Sequence, residues 1–206
     1  MAYQTAQEAF WTGTFGDEYT DRNAGPHYEA SLLSNFSEIL KHTGPIDTAI
    51  EFGANRGLNL ITLKRLLPKI SLDAIEINQS AVDHLKSIPD TTVHHQSILD
   101  FTPTETFELS LIRGVLIHIN PNKLNDVYDR LYTTSKKWIL VSEYYNPTPV
   151  SVSYRGHEDR LFKRDFAGEI LDRFPDLELV SYGFNYRRDP IFPQDDTTWF
   201  LLRKKT

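Results

Sequence analysis

The chain has 206 residues, 40% of them hydrophobic and 24% charged, which suits one globular domain with a sizeable core. Acidic residues outnumber basic ones 28 to 22, giving a net charge of −6, and this argues against a large nucleic-acid footprint, which needs clustered basic surface. Cysteine is absent, so disulfides, thiolate metal sites and a Cys nucleophile are excluded. There is no long uncharged apolar stretch and no basic segment leading into an apolar one at the N-terminus. The expectation is a cytoplasmic protein with no membrane span and no signal peptide.

Residues 1–45 precede the core pattern and are expected to form an N-terminal helical cap or lid within a single domain spanning 1–206. Phe10, Trp11, Phe15 and Tyr19 either plug a groove or cover a ligand, and Gly13 and Gly16 break any long helix. Gly25-Pro26 marks a turn. A helix over 27–42 follows, with Leu32, Leu33, Phe36, Ile39 and Leu40 on one face, stopped by Gly44-Pro45. From there strands and helices alternate. Strands are predicted at 46–53, 71–77, 91–99, 107–119 and 137–145, with helices at 57–67, 79–88, after Asn120-Pro121, and 164–174. The run at 107–119 is almost continuously apolar, as in a buried parallel strand. Residues 146–163 read as a polar loop, and 177–186 and 198–203 as closing strands with no helix between them. This order predicts a Rossmann-like α/β fold: a seven-stranded, mostly parallel sheet, helices on both faces, and an antiparallel last strand. Ligands in such sheets sit at the carboxyl ends of the strands, beside the first strand.

The stretch from Thr48 to Leu60 reads as strand, tight turn and helix start. Gly53 and Gly57 frame the turn; Gly57 leaves room for a ligand or for a close helix–strand contact. Asn55 tolerates left-handed backbone better than most residues. Glu51, at the strand end, can accept hydrogen bonds from a ligand. Glu76, 23 residues past Gly53 and beside Ile77, ends the next strand, where one carboxylate suits two ribose hydroxyls. The glycine turn resembles motif I of class I S-adenosylmethionine (SAM) methyltransferases. In that family an acid or Ser after the third strand commonly meets the adenine amine and the next apolar residue packs on the ring, roles that fall on Ser97 and Ile98. Backbone around Arg113 and Gly114 would approach the methionine part.

Other residues carry candidate chemistry. Arg113 lies in an apolar run and needs a partner. An unperturbed histidine titrates near neutrality, so His118 is a candidate general base, or else a satisfied structural histidine. Glu143, Tyr144, Tyr145 and Asn146 follow the fifth strand and suit a polar substrate; Glu143 and Tyr145 are further base candidates. Arg155, His157, Glu158, Asp159 and Arg160 form a charged patch, either a solvated network or a site for a charged small molecule. His94 and His95 are adjacent on a strand and point to opposite faces, so no metal site is expected.

Long strings extend the likeness: Phe15-Gly-Asp-Glu-Tyr19, Glu51-Phe-Gly-Ala-Asn-Arg-Gly-Leu-Asn-Leu60, Gly114-Val-Leu-Ile-His-Ile-Asn-Pro121, Glu143-Tyr-Tyr-Asn-Pro-Thr-Pro149, Tyr154-Arg-Gly-His-Glu-Asp-Arg-Leu-Phe-Lys-Arg-Asp-Phe-Ala-Gly168 and Pro193-Gln-Asp-Asp-Thr-Thr-Trp-Phe200. Over nearly all of 8–203 the chain resembles the pseudaminic acid biosynthesis-associated methylases. The resemblance implies a class I methyltransferase fold, SAM as cofactor, Asn55 as usual in the turn, and a sugar or sugar-nucleotide substrate. Glu51, Gly53, Asn55 and Gly57 would hold the methionine end, Glu76 with Ile77 the ribose, and Trp11 and Tyr19 would cover the cofactor. Tyr144, Asn146, Arg155, His157 and Arg160 would meet the substrate. Two rivals stand beside methyl transfer to oxygen or nitrogen of a small polar metabolite: a SAM-using cyclase or lyase that releases methylthioadenosine, and a non-catalytic SAM-binding module.

Overall fold

The structure is a computed structural model that describes residues 3–22 and 26–205. The turn expected at Gly25-Pro26 and the outermost residues of the expected 1–206 domain therefore lie partly outside the described residues. Helices α1 (Ala6–Trp11), α2 (Thr14–Arg22) and α3 (Pro26–Leu40) precede the sheet. Then come β1 (Thr48–Phe52), α4 (Leu58–Leu66), β2 (Ser71–Glu76), α5 (Gln79–Leu85), β3 (Thr91–His95) and β4 (Phe107–Arg113). They are followed by α6 (Leu124–Thr134), β5 (Ser135–Glu143), β6 (Val150–Tyr154), β7 (His157–Lys163), α7 (Phe166–Arg173), β8 (Leu177–Phe184) and β9 (Thr198–Lys204).

Seven strands form one sheet in the order β3-β2-β1-β4-β5-β9-β8. β1 pairs in parallel with β2 on one side and β4 on the other, so the glycine turn leaves the sheet at its centre. Only β9 runs against the rest, pairing antiparallel with both β5 and β8. The reversed strand therefore sits one place inside the edge, and β8 is the edge.

Strand periodicity divides the core. Ile50 and Phe52 of β1 join a cluster with Leu124, Val127, Leu131, Phe166 and Ile170 from α6 and α7. Ala49 faces the other side, with Leu32, Phe36 and Ile39 of α3, Leu60 and Leu63 of α4, and Leu85 of α5. Burial on both faces is why these strands read as nearly continuous apolar runs. Among the described residues no helix is long and apolar enough to cross a membrane.

The structure departs from the expected elements in two places that matter. β4 ends at Arg113 rather than running to Ile119, because Gly114 turns the chain at φ 66°. The buried carboxylate of Glu143 then accepts the N–H groups of Val115 and Leu116, both at 2.9 Å, and a 3-10 turn over Leu116–His118 follows. The second departure is a β-hairpin, β6–β7, where a polar loop was expected. Val150-Ser-Val-Ser-Tyr154 alternates at strand period, and Arg155 (φ 50°) and Gly156 (φ 82°) make a two-residue turn with both residues left-handed, the geometry that closes hairpins.

Such a hairpin is marginal alone and needs packing. It rests on α1 and the 3-10 turn: Gln7 Nε2 donates to the Asp159 carbonyl at 3.1 Å, and Leu161 and Phe162 are buried. The N-terminal helices in turn cross the carboxyl ends of the strands. Asn78 Nδ2 donates to the Trp11 carbonyl (3.1 Å) and the Asp17 carboxylate (2.9 Å), and Arg56 Nη1 to the Thr20 carbonyl (3.2 Å). Gly16 permits α2 to fold back this tightly, since a Cβ there would sit 1.9 Å from the Trp11 carbonyl oxygen.

Candidate functional site

A cavity of about 180 Å³ opens at the carboxyl ends of β1, β2, β3 and β4, roofed by α1 and α2. Its floor is the turn after β1. Gly53 (φ 75°), Asn55 (φ 46°) and Gly57 (φ 76°) are all left-handed, so Asn55 takes the conformation expected of it. Gly53 lets the turn after β4 approach: a Cβ there would stand 2.7 Å from Val115 Cγ2. Gly57 answers its open question as a packing residue, with α5 and its flank rather than a strand as neighbour. Its Cβ would stand 2.3 Å from Ile88 Cδ1 and 2.8 Å from Leu85 Cδ2, and it does not line the cavity.

Glu76 is buried at the end of β2 and ties this turn to the sheet. Its Oε2 accepts the Asn55 N–H at 2.8 Å, and its Oε1 accepts those of Ile77 and Asn78 at 2.7 and 2.8 Å. Burial pushes its carboxyl above the usual range while the three N–H groups pull the other way. One lone pair of Oε2 remains for the cavity, which Glu76 and Ile77 both line.

At the β1–β4 end the polar groups form a chain. Glu51 Oε1 accepts from Asn59 Nδ2 at 2.5 Å, while Oε2 is buried without a partner. Burial pushes this carboxyl up to about 8, against the Asn59 bond and the nearby Arg113 charge. Arg113 finds the partners its setting demands. Nη1 donates to Tyr28 Oη (3.0 Å) and Asn59 Oδ1 (3.5 Å), Nη2 to Gln194 Oε1 (2.6 Å), and buried Nε has no partner. Gln194, from the connection between β8 and β9, is fixed by donating to the Ser31 carbonyl at 2.9 Å.

At the β3 end, Ser97 and Ile98 line the cavity as expected. The Ser97 hydroxyl is already engaged: it donates to the Glu8 carboxylate of α1 and accepts the Leu99 N–H at 3.0 Å. On the remaining wall stand Trp11, Tyr19, Gly114 and His118. Gly114 has φ 66° and nothing within 4 Å of where a Cβ would be. The Trp11 ring lies 4.6 Å from His118 and 5.2 Å from Tyr19, and its buried Nε1 has no partner. His118 Nδ1 is 2.6 Å from the Arg160 carbonyl. A carbonyl only accepts, so Nδ1 carries the proton and Nε2 keeps its lone pair. Burial pushes the imidazole down to about 4, so it is neutral at physiological pH.

The other candidates lie off the cavity. Glu143, expected as a base, sits beneath the turn after β4. Its Oε1 is committed to the Val115 and Leu116 N–H groups and its Oε2 is buried without a partner. Burial lifts its carboxyl to about 7, with those N–H groups opposing. It shapes the loop that carries Gly114 and His118. Tyr145, the third base candidate, is 43% exposed and lies 6.1 Å from the Phe200 ring. Tyr144 packs under the Lys163 ammonium at 4.9 Å; burial, then the neighbouring Asp195, pushes its phenol up. Asn146 Nδ2 donates to the Thr148 carbonyl within its own loop. The charged patch lies on the β6–β7 hairpin, and the side chain of Glu158 falls outside the described residues. Arg155 lies over the Tyr154 ring at 5.8 Å, Arg160 over Phe10 at 5.3 Å, and the His157 ring is 5.0 Å from Phe10. Sequence reasoning missed Glu8, Tyr28, Asn59 and Gln194. For Glu8 a local signal existed, since Thr5-x-x-Glu8 is a capping box and forms as one.

No family model matches the chain, and no curated protein matches it. Solved structures match over nearly its whole length. The 1,6-didemethyltoxoflavin-N1-methyltransferase of Burkholderia thailandensis, with 1,6-didemethyltoxoflavin and S-adenosylhomocysteine bound, is 14% identical. That match covers 100% of this chain and 93% of that one, at a TM-score of 0.74. The plantazolicin methyltransferase BpumL, in complex with S-adenosylhomocysteine, is 13% identical over 98% and 95% of the two chains, with a TM-score of 0.69. The magnesium protoporphyrin IX methyltransferase ChlM of Synechocystis PCC 6803, with SAM bound, is 10% identical over 100% of both, with a TM-score of 0.67. At these identities the likeness concerns the fold, and this chain has the Rossmann-like class I methyltransferase fold.

Proposed function

We propose that the protein is a SAM-dependent methyltransferase acting on an oxygen or nitrogen of a small polar metabolite. One observation carries the reading: four buried polar atoms without a partner belong to side chains around one cavity. Glu51 Oε2 and Asn55 Oδ1 accept, and Trp11 Nε1 and Arg113 Nε donate. An unpaired buried polar group costs about 1–3 kcal/mol. A ligand with an ammonium and a carboxylate, such as the methionine end of SAM, meets both kinds. Glu51, Asn55 and Arg113 would hold that end, with Gly53 and Gly114 keeping space for it. Glu76 and Ile77 would take the ribose, Ser97 and Ile98 the adenine. The bound SAM or S-adenosylhomocysteine in solved structures of the same fold supports this reading.

When bound, SAM supplies an electrophilic methyl group on a sulfonium sulfur. The protein's part is mainly alignment. Trp11 and Tyr19 offer aromatic faces beside a cation. His118, neutral with a lone pair on Nε2, takes the acceptor's proton or orients it. Of the expected 1–45 cap, α1 and α2 serve as the lid, whereas α3 packs in the core on one face of the sheet. The acceptor reading as a sugar or sugar nucleotide of the pseudaminic acid pathway rests on the motif resemblance alone.

The test is nucleoside analysis after incubation with SAM and a panel of amino and hydroxyl metabolites, sugar nucleotides included. S-adenosylhomocysteine as product supports methyl transfer; methylthioadenosine sinks it in favour of cyclisation. His118→Ala is expected to slow product formation about 100-fold with S-adenosylhomocysteine affinity kept. In the unaltered enzyme the acid limb of kcat/KM, which reports the free enzyme, is expected to fall near pH 4, not near 6.5.

A further inference from the structure

We propose that Glu8, carried on α1 outside the sheet, is the residue that recognises the 6-amino group of the cofactor's adenine. The inference rests on the reading of the cavity as a SAM site and assigns within it the role that the motif resemblance gives to Ser97.

An exocyclic amine needs an acceptor. Ser97 is poorly placed to be one: its proton is directed at the Glu8 carboxylate and one lone pair receives the Leu99 N–H. The Glu8 carboxylate stands at the same end of the cavity, lines it, and is 9% exposed. Its Oε2 takes two donors from Thr5, the backbone N–H at 2.7 Å and the hydroxyl at 3.2 Å. Among the described residues its Oε1 takes only the Ser97 hydroxyl, which leaves a lone pair. The donors from both sides hold the side chain in one orientation, as a recognition group requires.

This placement has a consequence for access. The acid arrives with the lid, and the same segment reaches the adenine loop a second time, where Gln4 Nε2 donates to the Asp100 carboxylate at 2.7 Å. Recognition of the purine and seating of α1 are then one event. A purine without the 6-amino group fills the same space but leaves the acid unmet.

The experiment is calorimetric titration with S-adenosylhomocysteine and with S-inosylhomocysteine, in which a 6-oxo group replaces the amine. The unaltered protein is expected to prefer the adenosyl ligand about 10- to 100-fold, the range of a charge-assisted hydrogen bond. Glu8→Gln is expected to narrow that ratio to within about threefold, because an amide both accepts and donates. Loosening of α1 lowers both affinities together and leaves the ratio, so the ratio separates recognition from folding. Ser97→Ala, which keeps the carboxylate, is expected to keep the preference. A preference that survives Glu8→Gln, or is lost in Ser97→Ala alone, overturns the assignment. Binding of neither ligand to the unaltered protein overturns the SAM reading itself.

Discussion

Arg113→Met is expected to weaken S-adenosylhomocysteine binding about 100-fold or more and to lower folding stability by about 2 kcal/mol. The guanidinium is the hub of the β1–β4 end of the cavity: Tyr28, Asn59 and Gln194 all accept from it, and Glu51 faces its charge. Removing it leaves those acceptors without a donor, and deletion of one member of such a network costs more than the network's net worth. The stability loss stays at the low end because the head group is partly open to the cavity. The affinity loss is larger because the free Nε also goes. Arg113→Lys is expected to recover stability better than binding, since a single ammonium cannot serve three acceptors in a planar fork. Calorimetry and chemical denaturation measure the two effects. Full affinity in Arg113→Met would remove the residue from the ligand site.

Gly57→Ala and Gly114→Ala are expected to fail in opposite ways, although both glycines are left-handed. A methyl at 57 meets Ile88 and Leu85, which are packed in the core and have little room to yield. Overpacking and backbone strain together should lower stability by about 2–4 kcal/mol, with ligand affinity per folded molecule little changed. A methyl at 114 meets nothing within 4 Å and projects into open space beside the cavity. Its strain is about 1 kcal/mol, but S-adenosylhomocysteine affinity should drop about tenfold or more. Thermal melts with and without ligand separate the cases. Loss of binding without loss of stability in Gly57→Ala would move that glycine into the ligand site.

The parts of this site that were legible in the sequence are those written locally. Strand, left-handed turn and helix start between Thr48 and Leu60 depend on residues that touch one another in the chain, and the Glu76 position follows from one strand–helix–strand repeat. Gly114 and His118 were legible as positions but not as geometry, because a continuous apolar run conceals a strand that ends early. The turn there is fixed by Glu143, 28 residues away from Val115. The same long-range bond explains why Glu143 reads as a free acid from sequence and is a buried structural one in the fold. Gln194 and Tyr28 reach Arg113 across separations of 81 and 85 residues, with no local pattern to announce them. Arg155, His157 and Arg160 carry the composition of a substrate patch, yet a hairpin's facing is set by what it packs on. Phe10 and Phe15 pack on His157, Phe10 also lies under Arg160, and Arg155 lies over Tyr154 of its own hairpin.

Titration with S-adenosylhomocysteine near pH 7, in two buffers of different ionisation enthalpy, tests the account most directly. In the free protein the Glu51 carboxyl, pushed up to about 8 by burial, holds its proton at pH 7. An ammonium against Oε2 favours the carboxylate, so binding should release about one proton at pH 7. By linkage the affinity should rise with pH until about 8 and level off above it. Glu51→Gln should bind more weakly and without proton release. No binding, or tight binding with no proton released and no pH dependence, would contradict the placement of the cofactor's methionine end on which the proposed function stands.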